Sequence, residues 1–233
     1  MNYFTNYKKI KVSPIPEKIL TSMTENSIKN LPIRDCGEAI VNFEKMIRER
    51  KSKIQIKLVW SKKDIPCCKL RKTVADKLIK IQEKLPENFA LRIYDAHRPI
   101  ALQKKLFEQI WKEISEKKPQ LKGKMLYREV TNFIADPKNT PPHSTGGAVD
   151  LTIVNIKTGK ELNMGTRIDA ISDLSMTFHP KIKKKSLENR LILFNALSSE
   201  GFSNIASEWW HYSYGDQVWA ANFGMDYAIY GSR

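Results

Sequence analysis

Apolar residues recur at helical spacing in two stretches of the chain. In LRKTVADKLIKIQEKL (70–85), Val74, Leu78, Ile81 and Leu85 share one face, and Pro86 ends the run. In IALQKKLFEQIWKEISEK (100–117), Leu102, Leu106, Ile110 and Ile114 mark the apolar face. Pro99 stands just ahead, where proline suits a helix start. LENRLILFNALSSEGF (187–202) predicts a third helix, with Gly201 placed to close it as a C′ glycine.

Between these helices the pattern shortens to strand-like runs. FALRIYDA (89–96) reads as a buried strand with a polar end, and GGAVDLTIV (146–154) as a glycine turn feeding a strand. NIKTGKEL continues the latter as a hairpin, and SEWWHYSYGD (207–216) reads as an aromatic last strand. Residues 115–142 are polar and carry Pro137, Pro141 and Pro142, which predicts a long excursion holding a short helix. Residues 1–35, broken by Pro14, Pro16 and Pro32, read as an irregular arm. The uneven alternation predicts an α+β fold in one compact domain, mainly antiparallel sheet with flanking helices. Residues 1–60 form an arm and lead-in packed on it, and 61–233 the functional part.

Composition narrows the class. The 233 residues suffice for one sizeable core. No run approaches the roughly 18 apolar residues of a membrane span. The first residues show no signal-peptide pattern, so a cytoplasmic protein is expected, with a periplasmic one the alternative. Cys36, Cys67 and Cys68 are an odd set with an adjacent pair, which is not a disulfide framework. No second Cys/His pair stands at zinc-finger spacing to join Cys67 and Cys68. The net charge of +15 rests on lysines spread along the chain. They lack an aromatic-interleaved RNA motif, so solvated lysine faces are favoured and no nucleic-acid partner is expected.

Candidate chemistry gathers around two of the four histidines. His143 precedes a Gly146-Gly147 turn, and Asp150 follows between Val149 and Leu151. A buried aspartate needs a partner or a metal, and the turn can bring His143 back to it. Taken alone, this spacing also fits a surface turn whose aspartate bonds to backbone. His211 would complete a three-ligand zinc site with an open position, although read alone a satisfied histidine in an aromatic core is favoured. Glu208, three residues before His211, is a carboxylate suited to general acid–base work. Arg98 follows the strand 89–96 and could stabilise an oxyanion, or simply pair with Asp95. In a regular strand Glu208 and His211 would point to opposite faces. If both serve one site, the backbone between them must bend, bulge or leave the strand.

The ordered blocks YDAHRP, PPHSTGGAVDLT, MGTRID and NALSSEGFSNIASEWWHYSYGD resemble the D-alanyl-D-alanine dipeptidase family, zinc metallopeptidases related to the vancomycin-resistance dipeptidases. The similarity runs from about Leu70 to about Trp219. It implies a DD-peptidase/hedgehog-like domain with one Zn2+ per chain held by His143, Asp150 and His211. It further implies Glu208 as catalytic base, Arg98 as transition-state arginine, and Asp169 as the partner of the substrate's amino group. The implied substrate is D-Ala-D-Ala or a similar small D,D-dipeptide. A zinc D,D-carboxypeptidase or peptidoglycan endopeptidase would share the ligand set, and an inactive basic binding protein is the reading of another class. Two departures stand out. Pro141-Pro142 replace a Ser-Ser pair of the vancomycin-resistance members, and His97 stands where the family often has tyrosine.

Overall fold

A computed structural model describes residue 28 and residues 30–233, apart from residue 61. Most of the arm expected over 1–35 therefore lies outside the described residues. A five-stranded sheet forms the centre. Its strands are β2 (Gln55–Ile56), β4 (Phe89–Asp95), β5 (Ala148–Asn155), β7 (His211–Ser213) and β6 (Ser203–Asn204), in that spatial order. Only the β2–β4 pair is parallel. A separate ribbon pairs β1 (Ile40–Asn42) with β3 (Lys69–Arg71). This is the expected α+β architecture with a mainly antiparallel sheet.

The helices are α1 (Phe43–Glu49), α2 (Lys72–Lys84), α3 (Ile100–Lys117), α4 (Gly123–Thr131), α5 (Lys184–Ser198) and α6 (Gln217–Asn222). Helix α2 buries Val74, Leu78 and Ile81 as its periodicity requires. Leu70 and Arg71, expected as its first turn, instead pair with β1 as strand. Leu85 is extended, as a residue before proline prefers. Helix α5 closes in a Schellman motif: Phe202 N–H donates to Leu197 O and Gly201 N–H to Ser198 O. Gly201 takes the left-handed φ of +82° that this cap needs.

One core cluster joins α2, α5 and the sheet through Leu78, Ile93, Leu151, Phe194 and Trp210. The 115–142 excursion does contain a helix, α4. It folds back on α3 around a small cluster of its own, Ile114, Leu126 and Val130. Among the described residues no helix is long and apolar enough to cross a membrane.

The aromatic segment 207–216 departs from expectation. Only His211–Ser213 is strand. Glu208 N–H donates to Ile205 O and His211 N–H to Glu208 O, so the backbone turns twice before the strand begins. Beyond it, the Asp216 side chain accepts from Trp219 N–H and caps α6. Trp209 and Trp210 are buried with their rings edge to face, so their bulk anchors the turn in the core.

Candidate metal centre

Three adjacent strands supply one row of polar side chains. Asp150 on β5 is the ladder partner of His211 on β7. On its other side it is partnered by Asp95 on β4. Directly paired residues project to one face, so Asp95, Asp150 and His211 line up across the sheet. Asp95 reaches this position through a register shift between Ile93 and Asp95. An extra residue of this kind re-aims a strand's side chains; without it Tyr94 would face Asp150.

His143 comes from the 3-10 turn Pro142–Thr145, ahead of β5. Pro142 starts that turn, and Gly146, at a left-handed φ of +72°, ends it. Gly147 then passes tight against the Tyr214 backbone, where a β-carbon has no room. The reversal brings His143 Nε2 to 3.3 Å from Asp150 Oδ2, while His211 Nδ1 lies 2.9 Å from Asp150 Oδ1. The two imidazoles meet edge to face at 4.9 Å.

All three residues are buried, and one donor atom from each lies within 4.8 Å of the others. Their chemistry fits a small divalent cation such as zinc, which takes imidazole nitrogen and carboxylate oxygen. The tautomers fit as well. His143 Nδ1–H donates to the Ala96 carbonyl at 2.9 Å, which leaves Nε2 as the free lone pair. His211 directs Nδ1 to the cluster, with Nε2 3.3 Å from Ser213 Oγ. Burial alone would lower the His143 pKa. The Asp150 and Asp95 carboxylates outweigh it and raise it to about 9. Burial would raise the Asp150 pKa, but the two histidines hold it well below the usual carboxylate range.

Glu208 lies at the edge of the cluster, its Oε2 4.0 Å from His211 Nδ1, with 42% of its side chain exposed. The double turn brings it to the same side as His211. Loss of hydration raises its pKa, partly offset by His211 and reinforced by Asp150. Arg98 forms the Asp95 ion pair that the sequence offered as its simpler role. It also donates to Gln103 Oε1 at 2.8 Å and stacks 4.6 Å from the Trp60 ring centre. Its Nε–H is buried with no partner. Its charge is felt by both His143 and Asp169, so the pairing with Asp95 holds the guanidinium beside the cluster. Asp169 sits at a left-handed φ of +58°. Desolvation raises its pKa, and the Asp150 and Asp95 charges add to the effect.

Trp60 and Gln103 do not stand out in the sequence as site residues. Gln103 left no signal, because a glutamine in a largely solvent-facing helix reads as surface, yet it is fully buried, one of only two buried residues of α3. Trp60 left none, because its position depends on a long-range packing of the segment after β2. His97 packs away from the cluster, its Nε2–H donating to the Arg233 carbonyl. All three cysteines are free, and the only metal-ligand cluster among the described residues is His143, Asp150 and His211.

A family model described as D-ala-D-ala dipeptidase matches residues 63–228. A D-alanyl-D-alanine dipeptidase of Synechocystis sp. is 30% identical over 223 residues, covering 84% of this chain and 89% of that protein. Proteins of the same name from Escherichia coli and Enterococcus faecium are 32% and 25% identical, over 52% and 64% of this chain and 53% and 75% of their own lengths.

Proposed function

This chain belongs to the D-ala-D-ala dipeptidase family of metallopeptidases, and from that premise we propose that it hydrolyses D-alanyl-D-alanine, or a closely similar D,D-dipeptide, with zinc at the His143–Asp150–His211 cluster. The observation that carries this reading is the convergence of three buried donor atoms within 4.8 Å, with a fourth, partly hydrated carboxylate, Glu208, at their edge.

Bound there, zinc would polarise the scissile carbonyl and acidify the attacking water. The protein's own groups do the rest. Glu208 accepts the proton as water attacks and returns it to the departing amine nitrogen. Its raised pKa suits a group that must both take and give a proton near neutrality. Arg98, fixed by Asp95, Gln103 and Trp60, places positive charge beside the oxygen that becomes anionic. Asp169 pairs with the substrate's free ammonium, which favours a dipeptide over the end of a longer chain.

The test is release of D-alanine from D-Ala-D-Ala by the zinc-loaded protein, compared with its N-acetylated form. Turnover of the free dipeptide, abolished by a chelator and restored by zinc, is expected. Preference for the acetylated substrate would replace the dipeptidase reading with a carboxypeptidase one.

A further inference from the structure

The face of the sheet that carries the metal cluster also carries a second compartment. Asp150 and Thr152 lie two residues apart on β5, so their side chains leave the same face about 7 Å apart along the strand. Arg92 on β4 is the ladder partner of Thr152 and shares that face. Thr152, Arg92 and Tyr94 line a cavity of about 520 Å³, together with Lys57, Lys160 and Arg167. Asp169 and Trp209 line it as well, and Asp169 feels the charges of Asp150 and His143. Through Thr152, two residues along β5 from Asp150, the cavity neighbours the cluster on the same face of the sheet.

Two features call for an occupant. Thr152 is buried, yet its hydroxyl has no hydrogen-bond partner; such a group is normally satisfied, by a ligand if not by protein. The lining also carries more positive than negative charge, with Lys57, Arg92, Lys160 and Arg167 against Glu161 and Asp169. Arg92 is engaged by Glu161 and Gln55, and Lys57 lies over the Tyr94 ring. Lys160 and Arg167 have no ion-pair partner among the described residues. Lys160 and Arg167 are exposed at its rim, and the methyl side chain of an alanine would reach neither of them.

We propose that the compartment receives the side chain of the substrate's amino-terminal residue, and that the side chain it favours ends in a carboxylate, as in a D-glutamyl or D-aspartyl residue. The inference rests on the dipeptidase reading. With the ammonium at Asp169, the α-carbon of that residue lies at the mouth of the cavity. A side chain of two or three carbons then extends toward Thr152, Lys160 and Arg167. The Thr152 hydroxyl donates to the carboxylate, and the two cations neutralise it.

The experiment compares kcat/KM of the zinc-loaded full chain for D-glutamyl-D-alanine and for its neutral isostere D-glutaminyl-D-alanine, with D-alanyl-D-alanine as reference. The expected ratio of acid to amide is about fivefold, the scale of one exposed ion pair at the upper end of its range, and it shrinks at high ionic strength. In a Lys160→Gln/Arg167→Gln double variant the ratio falls toward one. Because each ratio is taken within one preparation, partial misfolding of a variant cancels. A wild-type ratio at or below one, with D-alanyl-D-alanine still hydrolysed, overturns the acidic subsite and leaves the dipeptidase reading standing. Hydrolysis of none of the three dipeptides defeats that reading, and the subsite with it.

Discussion

His211 and Asp150 face each other as direct ladder partners on β7 and β5, with the imidazole Nδ1 2.9 Å from the carboxylate. Sheet register, rather than a flexible loop, sets this distance. Asp150 is also the one of the three whose polar atoms meet both others, one carboxylate oxygen toward each imidazole, so it links the two rings electrostatically.

Replacing that carboxylate by its isosteric amide removes a ligand and the charge that organises both rings. Asp150→Asn is therefore expected to bind zinc more than about 100-fold more weakly, beyond the usual cost of losing an outer hydrogen-bond partner. Competition against a calibrated chelator measures this without reference to turnover. Zinc affinity equal to wild type would show that the ion lies elsewhere.

Glu208 should separate chemistry from metal binding. Its carboxylate lies 4.0 Å from His211 and is 42% exposed, so it is not needed to close the ligand set. Glu208→Gln is expected to keep one zinc per chain while kcat drops by about 100- to 10,000-fold, the usual contribution of a positioned acid–base group. Metal analysis and steady-state kinetics on one preparation decide it. A variant that loses zinc along with activity would make Glu208 a ligand instead.

How much of this could be read along the chain follows the range of the interactions. The helix at 72–84 buries the face that its local periodicity set, and the helix at 100–117 half-buries its own around Ile114, so spacing announced both; the helix at 184–198 is covered more widely, burying Asn189 and Arg190 beside Leu193 and Phe194. Asp150 was legible because a carboxylate amid Val149, Leu151 and Ile153 demands a partner. The segment from Glu208 to Ser213 was legible only as a condition: both side chains could serve one site if the strand began late, and it begins at His211. The shift that turns Asp95 toward Asp150 was not legible. A one-residue irregularity arises from pairing between strands over fifty residues apart and leaves no local pattern. Arg71 was hidden for the same reason. It looked like a helix-start charge, yet it is fully buried, with partners from Asp35, Glu38, Thr145 and Gly231.

That Arg71 clasp makes stability depend on acid. Burial alone would raise the Asp35 pKa, but the Gly231 and Gly37 amides and the Arg71 guanidinium bring it down to about 2. A folded pKa below the ordinary 3.8 stabilises the fold fully above that value. The contribution is lost as pH falls from there through about 2. Asp35→Asn should accordingly cost about 2 kcal/mol at pH 7, in the range of hydrogen bonds to a charged group. The gap from wild type should narrow steadily below pH 4 in urea-denaturation midpoints. A gap independent of pH would mean that the carboxylate's charge plays no part.

Gly147 tests whether the turn, and not only the ligands, fixes the cluster. A β-carbon there would collide with the Tyr214 carbonyl oxygen and crowd the Tyr230 ring at 3.0 Å and Thr145 Oγ1 at 3.1 Å. The Tyr214 strand end cannot simply retreat, because Tyr214 N–H donates to Gly147 O at 3.0 Å and holds the two segments together. Gly147→Ala is expected to destabilise the protein by about 1–3 kcal/mol through overpacking. Since Gly147 lies between His143 and Asp150, zinc affinity should fall as well. Gly159→Ala supplies the contrast. Its β-carbon meets nothing within 4 Å, and its only strain is a φ of +69° in a turn remote from the cluster. That variant should lose about 1 kcal/mol of stability and retain wild-type zinc affinity. Denaturation midpoints and chelator competition on both variants distinguish the cases. Equal zinc affinity in Gly147→Ala and wild type would show that the cluster tolerates movement of its turn.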